Sequence, residues 1–416
     1  MREHRSLELK ESVTNTFLKT VSAYANYDGG VIIFGVSDDG TIKGIEDPEK
    51  VCLDIENKIN DSIVPQPDYT LCIKDDERTV HLTVKSGTSK PYLYKSKAYK
   101  RNDSSTIEVD SVEFTRLVLS GRHMNYEELA SAEQALSFTV LSEMMQEING
   151  IADFDQDILK TLNLYSDQNG YNIAAAILAD QNNFPGIDIA KFGETISIIE
   201  KRATFDHMSI LSAYKNAMSL FRDYYQYEII DGAVRKTVER IPEAAFRETI
   251  ANAFIHRLWD VNVQTRVSMF NDRIEVVSPG GLPAGLTEAE YLSGRISVLR
   301  NPIIANVFYR LKIVEIFGTG ILRIHQTYQH SVMKPSFEFG ENTIKVILPV
   351  IEMQPDMTAD EREIYRLLSP TRQKSISEIA SAASFGKTKV TNLLKEMAAR
   401  GVVKIEGKGR GTKYRL

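Results

Sequence analysis

The sequence predicts an α/β protein of several domains that ends in a small unit of three helices and a basic hairpin. Three observations predict it. The length, 416 residues, calls for two to four domains at ~100–200 residues each. Helix-like and strand-like apolar spacings stand side by side both in 1–120 and in 155–352. The stretch 355–416 carries three short helical patterns and then a pair of strand-like runs around a glycine- and cation-rich turn.

In the first unit, 1–120, Val13, Phe17, Val21 and Tyr24 recur at helical spacing and predict an amphipathic helix over 12–26. Asp28-Gly29-Gly30 reads as a tight turn, since glycine reaches the positive φ values that turns need. Val31–Val36 then reads as a buried strand. Val80, Leu82 and Val84 alternate with polar residues as a half-buried strand does, and Tyr92–Arg101 reads as a strand pair. The stretch 121–154 is helical by composition and serves as a connector. In the unit 155–352, Asn172–Asp180 is a helix or a buried strand, which its apolar run alone does not decide. Ile210–Tyr225 reads as a long helix. Pro242 suits a first helical turn, and Glu243–His256 continues it. Val261–Phe270 and Arg273–Val277 flank an Asn271-Asp272 turn, and Thr343–Val350 is a closing strand. In the last unit Ala359–Leu368 is helical. Ser375 caps a second helix with Glu378 completing a capping box. Thr388–Arg400 forms a third, ending at Gly401. Val402–Ile405 and Lys413–Leu416 pair as a hairpin.

Composition bounds the function. At 43% hydrophobic and 25% charged the chain is ordinary globular protein, and wholesale disorder is excluded. With 50 Lys+Arg against 56 Asp+Glu, a net charge of −6 excludes a uniformly basic nucleic-acid binder. Any such role needs a local basic surface. The 2 cysteines, Cys52 and Cys72, cannot staple a chain of this size and fit a reducing cytoplasm. They and the scattered histidines lack zinc spacing. The polar start, Met1–Arg5, leads into no apolar h-region, so no secretory signal is expected. Runs such as Val31–Phe34 and Ile173–Ala179 fall short of the ~20 residues of a membrane span. No Gly-x4-Gly-Lys-Ser/Thr run is present, which disfavours a P-loop ATPase.

Three helices followed by a basic hairpin is the layout of a winged helix-turn-helix. In that geometry the third helix enters the major groove. Its start offers Lys387, Thr388, Lys389 and Asn392. The wing offers Lys404, Lys408, Arg410 and Lys413 as phosphate contacts. The expected partner is DNA; the alternative is a protein-contact module with a solvated, charged wing.

In the middle unit, Arg247-Glu248-Thr249-Ile250-Ala251-Asn252-Ala253-Phe254-Ile255-His256-Arg257 is followed by Ser278-Pro279-Gly280-Gly281-Leu282-Pro283, Arg300-Asn301-Pro302 and Gly318-Thr319-Gly320-Ile321. These segments, in this order, resemble a divergent ATPase family with a GHKL-like (histidine-kinase/gyrase) α/β sandwich. The first segment matches its Arg-Glu-Ala-x-x-Asn-Ala-x-x-His-Arg run. Glu248 and Asn252, four apart, share a helix face. The resemblance implies ATP and Mg²⁺ as cofactors, with Asn252 completing the Mg²⁺ coordination and Glu248 as the base that activates water. One amide oxygen suffices for Mg²⁺, which keeps waters and phosphate oxygens as ligands. Gly280, Gly281, Gly318, Thr319 and Gly320 are expected to turn backbone N–H groups toward the ligand. Arg300 is expected at the γ-phosphate or a lid. Ser278 stands where the family carries the adenine-reading Asp; its hydroxyl accepts a hydrogen bond but carries no charge. His256 is expected to order the helix end.

In the first unit, Glu3-x4-Glu8-Leu9-Lys10, Ser22-Ala23-Tyr24-Ala25-Asn26-Tyr27-Asp28-Gly29-Gly30, Phe34-Gly35-Val36-Ser37-Asp38 and Tyr99-Lys100-Arg101-Asn102-Asp103-Ser104-Ser105-Thr106 resemble the Schlafen-type Alba-like domain. That resemblance implies nucleic-acid binding, with Lys10, Lys19, Lys100 and Arg101 on phosphates. Some Schlafen relatives are metal-dependent endoribonucleases, which makes Glu3, Glu8 and Asp38 candidate catalytic metal ligands and RNA an alternative partner. Clustered carboxylates hold divalent cations that activate water. The other reading pairs Glu8 with Lys10 or Lys19 and makes Asp38-Asp39-Gly40 a hairpin turn. The three modules together resemble ATP-binding transcriptional regulators of bacteria, and imply a cytoplasmic homodimer, with no membrane partner, whose nucleotide state modulates DNA binding.

Overall fold

A computed structural model divides the chain into two units. One comprises Met1–Ala135, Gln156–Ala176 and Trp259–Val261; the other comprises Leu136–Asp155, Ile177–Leu258 and Asn262–Leu416. The structure describes all residues except 1, 152, 232, 233, 284, 295, 297, 316, 317, 352–356, 370–372, 401, 408–411 and 416, and the side chains of Asp231 and Val234.

In the first unit a four-stranded sheet runs in the order Leu7–Lys10, Gly30–Phe34, Thr79–Val84, Tyr69–Lys74. The first two strands are parallel, with Leu7 opposite Val31 and Lys10 opposite Phe34. Parallel neighbours need a crossover, and the helix Phe17–Asn26 supplies it. Its Phe17, Val21 and Tyr24 are buried against the sheet, with Phe17 edge-on to Phe34 at 5.4 Å. The helix starts later than its apolar spacing predicts. Val13 packs on the core, but turn bonds from Phe17 and Leu18 N–H to the carbonyls of Thr14 and Asn15 lead into the first helical turn. Gly30 is a packing requirement: a Cβ there would lie 2.5 Å from the Tyr24 ring.

Tyr92–Arg101 is not one strand pair. Leu93–Tyr94 pairs with Ile63–Val64, and Tyr99–Asn102 pairs with Ser105–Glu108. Lys95 and Ser96 at φ 52° and 61° turn the chain so sharply that a single bridge, Tyr94 to Lys97, joins the two runs. The stretch 121–154 is helical only in part. A one-turn 3-10 helix, Tyr126–Glu128, ends in an extended Leu129, and Thr139–Asn149 ends at Gly150 in the left-handed region.

In the second unit six strands are ordered Ile199–Phe205, Ile187–Phe192, Thr265–Met269, Arg273–Pro279, Thr343–Pro349, Ser336–Phe339. Only Ile187–Phe192 and Thr265–Met269 are parallel. Thr343–Pro349 lies second from the edge, because Ser336–Phe339 folds back onto it. The helix Ile210–Tyr225 packs on Glu243–Ile255 through Phe221 stacked 4.5 Å from Phe246. Glu243–Ile255 is apolar nearly all round, the mark of a buried helix. Consequently its polar residues Glu248 and Thr249 are also buried.

The C-terminal segment forms helices Ala359–Leu367, Ile376–Ala382 and Lys387–Ala399. A three-stranded sheet accompanies them, in the order Lys374–Ser375, Lys413–Arg415, Lys404–Glu406. Ile364, Ile379, Val390, Leu394, Met397 and Tyr414 form its core. Ser375 and Glu378 make the expected reciprocal cap. Gly401 and the wing-tip residues Lys408 and Arg410 lie outside the described residues.

Candidate functional site

The site is built on the helix Glu243–Ile255. Glu248 and Asn252 stand one turn apart, and the Asn252 amide nitrogen donates to Glu248 Oε1 at 3.3 Å. That bond leaves the amide oxygen as the acceptor of Asn252. Glu248 is 3% exposed, and Arg323 Nη1 reaches its Oε2 only at 4.0 Å. Burial raises the Glu248 pKa above the usual carboxylate range, against the pull of Arg323 and of the Asn252 hydrogen bond.

Gly320 faces this pair. A Cβ at Gly320 would sit 2.0 Å from Glu248 Oε1 and 3.1 Å from Asn252 Nδ2, so any larger residue there would have to displace the ends of these two side chains. Gly320 also opens the helix Gly320–Thr327, whose N-cap Thr319 makes no side-chain capping bond. Its first-turn N–H groups and positive dipole end favour an anion. Gly318, Gly320 and Ile321 line a cleft with Glu248 and Asn252, which encloses about 670 Å³ including open solvent. A second hollow of about 340 Å³ adjoins it, sharing Asn252, His256 and Tyr291, and is lined by Ala253, Val276, Ser278, Gly280, Ile344 and Val346. One lobe therefore offers an anion site beside a carboxylate and an amide. The other is a largely apolar slot bordered by the hydroxyl residues Thr249, Ser278 and Tyr291. Ser278 Oγ donates to the Ala253 carbonyl at 2.9 Å, which leaves it lone pairs for a ligand donor. Burial, reinforced by Arg300, pushes the His256 pKa down to about 4, so its ring is neutral at pH 7.

The Arg300 expectation is corrected. Its guanidinium donates to the carbonyls of His256 and Gly281, so it fastens the helix end to the following turn. Asn301 donates to the carbonyls of Ile255 and Arg257 at 2.8 and 2.9 Å. Together the two side chains satisfy carbonyls that a helix C-terminus leaves without partners. Gly280 and Gly281 serve close packing: a Cβ would lie 2.6 Å from Arg300 Nη1 at the first and 2.3 Å from the Glu341 carbonyl at the second. Arg257, fully buried, donates to the carbonyls of Pro185, Gly186 and Val263 and ties the same helix end to the sheet. Sequence reasoning missed Arg257, Asn301, Tyr291 and Arg323. Arg323 had a signal, since it lies one turn beyond Thr319 and donates to its hydroxyl at 3.1 Å.

The N-terminal carboxylates are arranged otherwise. Glu8 is 6% exposed; Lys10 holds its Oε1 at 2.6 Å and the buried Arg101 holds its Oε2. Glu3 accepts from the Leu9 N–H at 2.9 Å. Asp38 is exposed in the Ser37–Thr41 turn. Among the described residues no group of three or more His, Cys, Asp or Glu is disposed to hold a metal ion. Glu3, Glu8 and Asp38 thus do not fit a three-carboxylate metal centre in this structure. The expected phosphate contacts change too. Lys10 and Arg101 are engaged by Glu8, and Lys100 by Glu113 at 2.7 Å. Lys19 is exposed, over the Tyr99 ring at 5.7 Å.

In the C-terminal segment Lys387, Thr388 and Asn392 are exposed on the third helix. Lys395, a turn further on and absent from the sequence expectation, is exposed as well. Lys389 is held by Asp360 at 2.6 Å and lies over the Phe385 ring. Lys404 and Lys413 are exposed on the hairpin strands.

Comparison with known proteins follows this division. Residues 3–110 match the family model described as "Schlafen, AlbA_2". Residues 262–348 match the model described as "Putative ATP-dependent DNA helicase recG C-terminal". The crystal structure of the DIP2311 protein from Corynebacterium diphtheriae is 20% identical with a TM-score of 0.48, over 99% of this chain and 92% of that one. The N-terminal domain of a "Putative ATP-dependent DNA Helicase RecG-related Protein" from Nitrosomonas europaea is 22% identical with a TM-score of 0.20, over 27% of this chain and 84% of that one. No curated protein matches. The chain joins a Schlafen/AlbA-type domain to an ATPase-like domain in a mixed α/β architecture. Among the described residues no helix is long and apolar enough to cross a membrane.

Proposed function

We propose that this protein binds ATP with Mg²⁺ in the two-lobed cleft, and that its nucleotide state modulates how the chain engages DNA, as in a transcriptional regulator. One observation carries the reading: Glu248, Asn252 and the helix opening at Gly320 converge on a single cleft. The phosphates belong at that helix N-terminus. The Asn252 amide oxygen would complete a Mg²⁺ shell made mostly of phosphate oxygens and water; the metal, when bound, neutralises phosphate charge. The base belongs in the apolar slot, where Ser278 accepts a hydrogen bond from an amino group. Glu248, with its raised pKa and with Arg323 no nearer than 4.0 Å, is suited to take a proton from an attacking water.

The DNA half of the reading rests on the C-terminal segment, taken as a winged helix with Lys387, Thr388, Asn392 and Lys395 toward the groove and Lys404 and Lys413 on phosphates. The name printed for the matched family model over 262–348, which mentions a DNA helicase, agrees with a nucleic-acid partner. A homodimer would present two such helices to paired half-sites. Calorimetric titration with ATP·Mg²⁺ tests the cleft. Wild type should bind and Asn252→Ala should lose most of the heat; equal heats in the two proteins would overturn the assignment.

A further inference from the structure

One pair of strands lies outside the six-stranded sheet. Among the described residues Gln226–Asp231 and Val234–Glu239 pair only with each other, as a separate two-stranded ribbon. An isolated hairpin is marginal in water, and a third strand or a packed face is what stabilises it. This one exposes Tyr227 by 43%, Ile229 by 37% and Ile230 by 76%.

Its register identifies the groups on its free edge. At the base of the hairpin the Arg240 N–H donates to the Tyr225 carbonyl at 2.7 Å, which makes 225/240 a hydrogen-bonded pair. Because antiparallel pairs alternate, 229/236 and 227/238 are also bonded within the hairpin. The N–H and C=O of Arg235, Thr237 and Glu239 therefore point out from Val234–Glu239, and all three residues are exposed; within one chain Arg235 lies 3.4 Å from Glu228 and Glu239 accepts from the Glu243 N–H at 2.9 Å, each through one carboxylate oxygen. Two copies of this strand laid antiparallel about Thr237 set Thr237 against Thr237. Arg235 then stands opposite Glu239 of the other copy, twice by symmetry. The outward backbone groups coincide in that register. Opposite charges meet directly across the strands, which stabilises a pair, whereas like charges so placed destabilise it. The other strand lacks this match: centred on Glu228 it would set Glu228 against itself. In the resulting four-stranded sheet Tyr227, Ile229 and Val238 of both copies share one face.

We propose that a second copy of this chain docks on the Val234–Glu239 edge, forming a two-fold dimer through continuous antiparallel strand pairing. The interface is isologous, as closed dimers require, and it gives the homodimer of the proposed function a specific location.

Light scattering on the full chain tests it with variants chosen to leave the hairpin's own ladder intact. Wild type should run at twice the 46.9 kDa of one chain. Thr237→Pro removes an outward N–H and should give monomer. Arg235→Glu alone and Glu239→Arg alone should each give monomer, because each sets two like-charge pairs across the edge. Mixed together they should form a heterodimer, since both contacts become Glu–Arg; a misfolded variant could not do this. A monomeric wild type, or single variants that stay dimeric, would overturn the proposal. ATP·Mg²⁺ calorimetry on Thr237→Pro reads the nucleotide cleft separately, so failure of the interface and failure of the cleft are told apart.

Discussion

Glu8 and Glu248 are both carboxylates buried in the molecule, and their surroundings are opposite. Glu8 has a cation on each oxygen, Lys10 on one and Arg101 on the other. Glu248 has an amide on one oxygen and an arginine no nearer than 4.0 Å on the other, and it borders a cleft. The two cations neutralise Glu8 and take up the charge a metal or a phosphate would otherwise use. Burial raises the Glu248 pKa, and Arg323 and the Asn252 amide offset that rise only in part. A buried carboxylate marks a candidate site only once its counter-charges are known.

The largest expected effect strikes the Glu8 side. Arg101→Ala should leave Glu8 with the Lys10 ammonium alone and cost about 3 kcal/mol in denaturant unfolding, the lower end of the penalty for breaking a buried ion pair from one side. A loss near that of a surface pair, below about 1 kcal/mol, would break the contrast. A smaller effect follows for Glu248. Its folded pKa is raised, so the native state holds its proton more tightly than the unfolded chain does. Stability should then fall as pH rises from the ordinary carboxylate pKa through the higher folded value. Glu248→Gln should flatten that slope and be the more stable protein above the window; parallel stability–pH curves for the two would remove the distinction drawn here. The smallest effect sharpens the same lesson for cations. Lys395→Ala should lower the log–log salt slope of DNA binding by about one, whereas Lys100→Ala, already paired with Glu113, should leave it unchanged. Equal changes would mean that internal pairing does not decide which cations reach phosphate.

Much of the local structure was legible. The Ser375–Glu378 cap, the helix that carries Glu248 and Asn252 on one face, and the Asn271-Asp272 turn all rest on interactions within a few residues, which spacing encodes directly. The strand pairing of Tyr92–Arg101 was misread because left-handed Lys95 and Ser96 carry no glycine signal. The role of Arg300 was misread because its acceptors are backbone carbonyls, which every residue type possesses. Lys389 looked like a groove contact until Asp360, twenty-nine positions earlier, was found against it.

By itself the sequence determined the α/β character, the basic C-terminal unit and the Glu248–Asn252 pair, because periodicity, caps and residue spacing act within a turn or two of the backbone. Tertiary structure alone decided that Arg101 silences Glu8 from 93 positions away, that Gly320 sits against the Glu248 and Asn252 side chains, and that the strand from Val234 to Glu239 is left with an open edge. Those outcomes depend on which surfaces meet, and Coulomb and packing forces act across space without regard to order along the chain.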